Sequence, residues 1–241
     1  MSEQNAIIEI DNLAKAYGYL PVLKKVSLRV ERGQFVALLG ANGSGKSTLM
    51  RLLCGLSKPT VGDIRVGGWQ IPQEAEAVRA QIGMVSHKSL LYDNLTANEN
   101  LHFFARLYRI NDPESRIKEL LARVGLSRRT HSLVRTFSRG MQQRLSIARA
   151  LLHAPHVLLL DEPFTGLDQD AALVLDELLI EAHEDGHTLL MTTHQLARAA
   201  KLATRIVILN KGTIAYDENR RHKVNELAQI YTQATGAVTS R

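Results

Sequence analysis

The sequence predicts an α/β fold built on a mostly parallel sheet, and two observations carry that prediction. Short apolar runs such as Phe35–Leu39 and Val157–Asp161 lack the polar alternation of a half-exposed strand, which is typical of strands covered on both faces. Segments with helical periodicity separate these runs, and strands that alternate with helices favour a parallel sheet. The chain has 241 residues, enough for one large domain or two small ones.

The remaining elements follow from apolar periodicity and from breaks at glycine, proline and asparagine. The first two strands alternate apolar and polar residues, and we expect them to belong to an antiparallel β part at the N-terminus. In order, the predicted strands lie at 6–13, 22–30, 35–39, 63–66, 82–86, 157–161, 188–193 and 205–209, and the predicted helices lie after residue 48, within 97–124, and at 141–153, 171–184 and 195–203.

A long helical stretch interrupts the strand-rich parts. Apolar spacing is helical over residues 97–124 but breaks at Asn111-Asp112-Pro113, so we expect two or three helices there. We therefore predict a single domain over residues 1–241 with three parts. These are a core at about 1–89 and 154–216, an inserted α-helical subdomain at about 90–153, and a polar C-terminal tail at 217–241. The tail contains the basic run Arg220–Lys223, which we interpret as solvated rather than as a nucleic-acid site.

Composition and charge narrow the class of protein. The formal net charge of +6 favours anionic ligands, nucleic acid or a membrane surface as partners. The single cysteine, Cys54, lies in an apolar helical run and is predicted to be buried and reduced. We see no signal peptide, and no apolar run approaches the ~20 residues of a membrane-spanning helix. We therefore expect a cytosolic chain that could dock on a membrane protein.

The strand Phe35–Leu39 leads into the sequence G-A-N-G-S-G-K-S-T, and a helix follows. This spacing is that of the phosphate-binding loop (P-loop) of nucleoside triphosphatases. Glycines let successive N–H groups converge on a phosphate, and the helix adds its partial positive end. Lys46 would reach the β- and γ-phosphates and Ser47 would bind Mg²⁺. The predicted nucleotide-binding residues of the loop are Gly40, Asn42, Gly43, Ser44, Gly45, Lys46, Ser47 and Thr48.

Two carboxylates close the apolar strand Val157–Asp161. Asp161 at the carboxyl end of a strand near a phosphate loop can hold Mg²⁺ directly or through water. Glu162 is placed to act as the general base that polarises a water for attack on the γ-phosphate.

The sequence Ser138-Arg139-Gly140 opens a predicted helix and allows two interpretations. Ser138 could be only the N-cap of that helix. The same helix end could instead bind a phosphate through backbone N–H groups and the serine hydroxyl. Local sequence does not separate the two.

The order of the motifs resembles that of the ATPase subunits of ABC transporters, over residues from about Ile7 to about Asp217. The motifs are the phosphate loop, F-S-R-G-M-Q-Q-R at Phe137–Arg144, V-L-L-L-D-E at Val157–Glu162, T-G-L-D at Thr165–Asp168 and T-T-H at Thr192–His194. The resemblance implies the ABC ATPase fold: a P-loop NTPase core, an antiparallel N-terminal β part and an inserted helical subdomain.

The resemblance also implies a transport-coupled ATPase that uses ATP and Mg²⁺. Two such subunits would form a head-to-tail homodimer or heterodimer with two ATPs between them, docked on transmembrane permease subunits at the cytoplasmic face of the cell membrane. No direct nucleic-acid partner is expected. Each ATP would contact one chain's phosphate loop and the other chain's Ser138 and Gly140. Asp168 would contact the partner chain, and His194 would contact the γ-phosphate and help Glu162 to hold the water. Tyr17 matches the aromatic position that stacks on adenine, with Tyr19 as its rival.

This sequence departs from the family pattern at two places. The signature usually reads Leu-Ser-Gly-Gly-Gln, and Phe137, Arg139 and Met141 replace its first, third and fifth residues. His87 stands where a glutamine normally contacts Mg²⁺ and the attacking water. Imidazole is a poorer Mg²⁺ ligand than an amide oxygen, so His87 could act through water or couple to the membrane partner. Its pKa could also make activity sensitive to pH.

His87 together with L-T-A-N-E-N-L-H-F-F at Leu95–Phe104 is similar to the haem-exporter branch, which serves cytochrome c maturation. Multidrug or polysaccharide exporters share the Ser-x-Gly-Met-Gln variant and stay open as alternatives. A soluble ABC ATPase of translation or DNA repair is disfavoured, because such chains usually carry two ATPase halves or a long coiled-coil insertion. A non-catalytic nucleotide-gated module is disfavoured because Lys46, Glu162 and His194 are all present.

Overall fold

The computed structural model describes residues 5–86 and 89–236, which form two sheets and a set of helices around them. The strands are β1 Ala6–Tyr17, β2 Leu20–Glu31, β3 Phe35–Leu39, β4 Val61–Val66, β5 Trp69–Ile71, β6 Ile82–Val85, β7 Val157–Asp161, β8 Thr188–Thr192, β9 Arg205–Asn210 and β10 Thr213–Glu218. The α-helices are α1 Lys46–Leu53, α2 Ala75–Gln81, α3 Ala97–Leu107, α4 Pro113–Arg123, α5 Arg139–Leu151, α6 Gln169–Glu184, α7 Leu196–Leu202 and α8 Val224–Thr235.

The larger sheet confirms the predicted parallel architecture. Its strand order is β10-β9-β3-β8-β7-β6, and every neighbouring pair is parallel except β9 with β10. The smaller sheet has the order β2-β1-β4-β5, is antiparallel throughout, and begins with the predicted N-terminal strands. Because β3, β7 and β8 are parallel neighbours, the loops that follow them meet at one edge of the sheet.

The apolar runs are continuous because the larger sheet is buried on both faces. In β3, Phe35, Ala37 and Leu39 face one hydrophobic cluster, whereas Val36 and Leu38 face the other. The first cluster contains side chains of α3 to α8, and the second contains the antiparallel sheet and α1. No helix in the described ranges has the length and apolar character needed to cross a bilayer.

The helical stretch contains two α-helices separated at the predicted break. Thr96 and Glu99 form a capping box at the start of α3. Asp112 caps α4 by accepting a hydrogen bond from the Ser115 N–H, and Pro113 occupies the first helical position. Proline is favoured there because the first N–H of a helix has no partner within the helix.

The prediction of a solvated tail after residue 217 was wrong. β10 continues to Glu218 and pairs with β9, and α8 packs on the first hydrophobic cluster through the fully buried Leu227. His222 of the basic run is also buried, and its Nε2 lies 2.9 Å from the Tyr216 hydroxyl. An edge strand and a helix with a narrow apolar face leave many polar residues exposed, so their composition resembled that of a tail.

The N-terminal part is also more extensive than expected. β1 and β2 form a long hairpin in which Tyr17 pairs with Leu20, whereas the prediction ended the first strand at residue 13. Strand β5 and helix α2 were not predicted at all, because three and seven residues are too few to show a period.

Candidate nucleotide-binding site

The phosphate loop lies between β3 and α1, and its glycines are required by close neighbours. A Cβ on Gly40 would lie 2.4 Å from the Leu209 carbonyl oxygen, and one on Gly45 would lie 2.6 Å from Leu23 Cδ2. Gly45 also has a φ of 111°, which a residue with a side chain rarely adopts. The N–H groups of this loop can therefore converge because no side chain separates them.

Lys46 is buried and folds back over the loop. Its Nζ donates hydrogen bonds to the carbonyl oxygens of Gly40 at 2.7 Å and of Ala41 at 3.2 Å. Burial lowers the pKa of Lys46, and the nearby carboxylates of Glu162 and Asp161 partly oppose that effect. The lysine is thus held at the centre of the site, with its charge directed toward the loop.

A buried hydroxyl without a partner lies in the same loop. Ser44 Oγ has no hydrogen-bond partner within the described part of the chain. The residue is only 4% exposed, so solvent does not readily supply one. A buried polar atom normally has a partner, so this hydroxyl fits a loop that binds a phosphate oxygen.

Asp161 ends β7 next to the loop and is held from the neighbouring strand. Its Oδ1 accepts a hydrogen bond from Thr192 Oγ1 at 2.6 Å, and Ser47 Oγ lies 3.5 Å from the same oxygen. These are hard oxygen donors of the kind that Mg²⁺ prefers, so the residues fit the predicted ion. The described residues hold no group of three or more histidine, cysteine, aspartate or glutamate side chains that could bind a metal on their own. Mg²⁺ commonly completes its shell with water and substrate phosphates.

Glu162 and His194 form a pair at the mouth of the site. His194 Nδ1 lies 2.9 Å from Glu162 Oε2, and the histidine side chain is 60% exposed whereas the glutamate is 22% exposed. The Glu162 N–H donates to both the carbonyl and the hydroxyl oxygen of Thr192, at 3.2 and 3.0 Å. Glu162 has a φ of 51°, which is uncommon for a residue with a side chain.

Ser138 and Asp168 lie at helix starts outside this cluster. Ser138 is exposed and caps α5 by accepting a hydrogen bond from the Met141 N–H at 3.3 Å. Asp168 caps α6 by accepting one from the Ala171 N–H at 2.8 Å. Ser138 is therefore the N-cap of α5, as the first of the two interpretations predicted. Because the residue is exposed, the same helix end is also accessible to a ligand.

The two candidate adenine-stacking tyrosines lie at the end of the β1–β2 hairpin. Tyr17 is 48% exposed and Lys15 Nζ lies 4.8 Å above its ring, whereas Tyr19 is fully exposed at the turn. Both rings are exposed and stay candidates for the adenine contact. His87, the other predicted contact, lies outside the described residues.

The structure thus brings Lys46, Ser47, Asp161, Glu162 and His194 to one sheet edge. The prediction missed the role of Thr192, which contacts both Asp161 and Glu162. Its place in T-T-H at the end of an apolar strand was visible in the sequence. Recognising the contacts required the strand order, because β8 lies beside β7 only in the folded sheet.

The comparisons with known proteins identify the family. The ABC transporter family matches residues 23–165 of the chain. The chain belongs to the ABC transporter family. It is similar to the linearmycin resistance ATP-binding protein LnrL of Bacillus subtilis, with 36% identity over 86% of this chain and 67% of LnrL. It is equally similar to the glutamine transport ATP-binding protein GlnQ of Escherichia coli, with 36% identity over 88% of this chain and 91% of GlnQ.

The fold is that of solved ABC cassettes. The dimeric structure of the cassette MJ0796 in a post-hydrolysis state, bound to ADP and phosphate, superposes with a TM-score of 0.80 and 31% identity. The match covers 90% of this chain and all of that one. The ABC ATPase fold predicted from the motifs is therefore confirmed. The names of these relatives do not point to haem or to cytochrome c.

Proposed function

We propose that this ATP-binding subunit of an ABC transporter hydrolyses ATP to drive transport, as a head-to-tail dimer docked on transmembrane permease subunits. The observation that supports hydrolysis best is the 2.9 Å pair of Glu162 and His194, beside Lys46 and Asp161. A module that only binds nucleotide would not need a carboxylate and an imidazole held together at the mouth of the site.

The residues of the site would divide the work. The N–H groups of the phosphate loop bind the phosphates, and Lys46 exchanges its loop carbonyls for oxygens of the β- and γ-phosphates. Mg²⁺, held by Ser47 and Asp161, would supply positive charge that stabilises the transferring phosphoryl group. Glu162 Oε2 accepts the proton of the attacking water, and His194 orients that carboxylate.

A second subunit would complete the site. Within the described residues, the hydrogen bond of the Ser138 side chain is to Met141 of its own helix, and this helix end is exposed, as is the His194 side chain beside Glu162. Two copies arranged head to tail would place each Ser138 against the other copy's nucleotide. The dimeric ADP-bound cassette of similar fold is consistent with this arrangement. The site would then be at the cytoplasmic face of the membrane, where ATP is available.

The first test is the variant Glu162→Gln. Removing the base while keeping the size of the side chain should lower turnover about 10²–10⁴-fold and leave ATP binding intact. The variant protein should then accumulate as a dimer that retains bound ATP. Size-exclusion chromatography with light scattering detects this dimer. The matched control is Glu177→Gln on the exposed face of α6, which should behave like the parent. Rapid turnover by Glu162→Gln would remove the assigned role of this carboxylate.

For the cargo we propose the haem-exporter type of complex, on the basis of His87 and the motif at Leu95–Phe104. The alternative is another exporter, of multidrug or polysaccharide type, and the similarity to the linearmycin resistance protein LnrL favours it. Purification of the chain from native membranes with its bound subunits distinguishes the two. Haem-handling membrane partners would support the first proposal, and a drug or polysaccharide permease would support the second. Recovery with ribosomes or DNA alone would contradict both.

A further inference from the structure

The first turn of α5 and the loop after β7 are tied together by Arg139. Its Nε–H donates a hydrogen bond to the Thr165 carbonyl oxygen at 2.9 Å. A Cβ built on Gly166 would lie 2.6 Å from the same nitrogen and 3.0 Å from Arg139 Cζ. The Arg139 side chain therefore lies close against Gly166, at a point where a side chain on residue 166 would displace it.

A second contact fixes the same two segments beside each other. A Cβ built on Gly140 would lie 2.6 Å from the Ala171 side chain, so the starts of α5 and α6 pack closely and leave no room for a side chain on residue 140. Ser138 caps the first of these helices and Asp168 caps the second. The two helix starts are thus held as one unit, which includes the loop Thr165–Asp168 between Glu162 and α6.

The loop continues this connection to the catalytic base. The Thr165 N–H donates to the Glu162 carbonyl oxygen at 3.2 Å, and the Glu162 N–H is held by Thr192. Two hydrogen bonds therefore connect the Arg139 side chain with the backbone of Glu162. The backbone at Glu162 has positive φ, so its carboxylate direction depends on these restraints.

We propose that Arg139 is a positioning residue, which links the nucleotide bound at the Ser138 helix end to the orientation of Glu162 in the same chain. The inference rests on the proposed head-to-tail dimer, in which that nucleotide belongs to the other copy's site. Occupation of one site would thereby favour a productive carboxylate in the second. The usual signature has glycine at this position, and glycine has no side chain to make the bond.

The test compares Arg139→Ala and Arg139→Lys with Arg128→Ala, an exposed arginine elsewhere that gives the same change in charge. Arg139→Ala should lower kcat about tenfold, with KM for ATP changed less than about twofold, and should bring the Hill coefficient for ATP toward 1. Arg139→Lys keeps a donor within reach of Thr165 and should recover most of kcat. Arg128→Ala should match the parent. Melting temperatures within about 2 °C of the parent would show that the variants are folded.

Any of three kinetic results would overturn the inference: an unchanged kcat in Arg139→Ala, a loss that Arg139→Lys does not reduce, or a loss that appears only in KM. Arg139→Ala combined with Glu162→Gln must still form the ATP-trapped dimer. If the double variant does not form this dimer, Arg139 acts by binding the nucleotide and not by holding the loop, which also contradicts the inference. Failure of Glu162→Gln alone to form the dimer would refute the proposed function, because Arg139 is intact there.

Discussion

The hydroxyl of Thr192 connects the Asp161 carboxylate with the backbone N–H of Glu162, so Thr192→Val tests the arrangement directly. Thr192 is fully buried, donates to Asp161 Oδ1 at 2.6 Å and accepts from the Glu162 N–H at 3.0 Å. Valine has nearly the same shape and cannot do either. The Glu162 N–H keeps a second acceptor, the Thr192 carbonyl oxygen. The main loss is thus the hydrogen bond to a buried carboxylate.

The expected cost follows from that loss. A hydrogen bond to a charged group contributes about 1.5–3 kcal/mol. Among the described residues, the hydrogen bond left to the buried Asp161 side chain would be the long one from Ser47 Oγ at 3.5 Å. In a chain of this size 1 kcal/mol shifts the melting temperature by about 2–4 °C, so Thr192→Val should melt about 3–12 °C lower. Its kcat should also fall, about tenfold, because Asp161 and Glu162 lose a shared restraint.

Calorimetry, urea unfolding and steady-state ATP hydrolysis measure these effects, with Thr192→Ser as the control. Serine keeps the hydroxyl and loses one buried methyl group, which costs about 1 kcal/mol. Thr192→Ser should therefore be more stable and more active than Thr192→Val. The reverse order, or a valine variant within about 0.5 kcal/mol of the parent, would show that packing rather than the hydroxyl matters here.

Two further predictions concern other parts of the chain. Burial lowers the pKa of His153 to about 4 from 6.5, so the unfolded chain binds a proton first as the pH falls. The free energy of unfolding should decline by about 3 kcal/mol as the pH falls from 6.5 to 4, the range between the pKa of His153 in the unfolded chain and its pKa in the folded chain. Urea titrations of parent and His153→Gln should diverge over that range, and parallel curves would contradict the assignment. Tyr17→Ala should raise the Kd for ATP about 5- to 150-fold if its ring stacks on adenine, because such stacking contributes about 1–3 kcal/mol. Tyr19→Ala is the comparison in a fluorescent-nucleotide titration, and a larger effect there would transfer the role to Tyr19.

Much of the fold was predictable because its signals are local or periodic. The strands β3 and β7 lie where the apolar runs predicted them, and the break before Pro113 separated two helices as expected. The candidate site was predictable for a similar reason: the loop that contains Lys46 and the Asp161-Glu162 pair are each a short motif of contiguous residues. The C-terminal β10 and α8 were not predictable in this way, because their stability comes from packing on β9 and the core.

The sequence by itself determined which residues are the candidates for the chemistry, because a phosphate loop and a carboxylate pair are defined by residue type and spacing. Only the tertiary structure decided which of them share contacts, since that depends on strand order and on the backbone at the strand ends. Thr192 contacts Asp161 because β8 lies beside β7, and Arg139 contacts Thr165 because α5 and α6 start side by side. Both contacts join residues far apart in the chain, where no local pattern can record them.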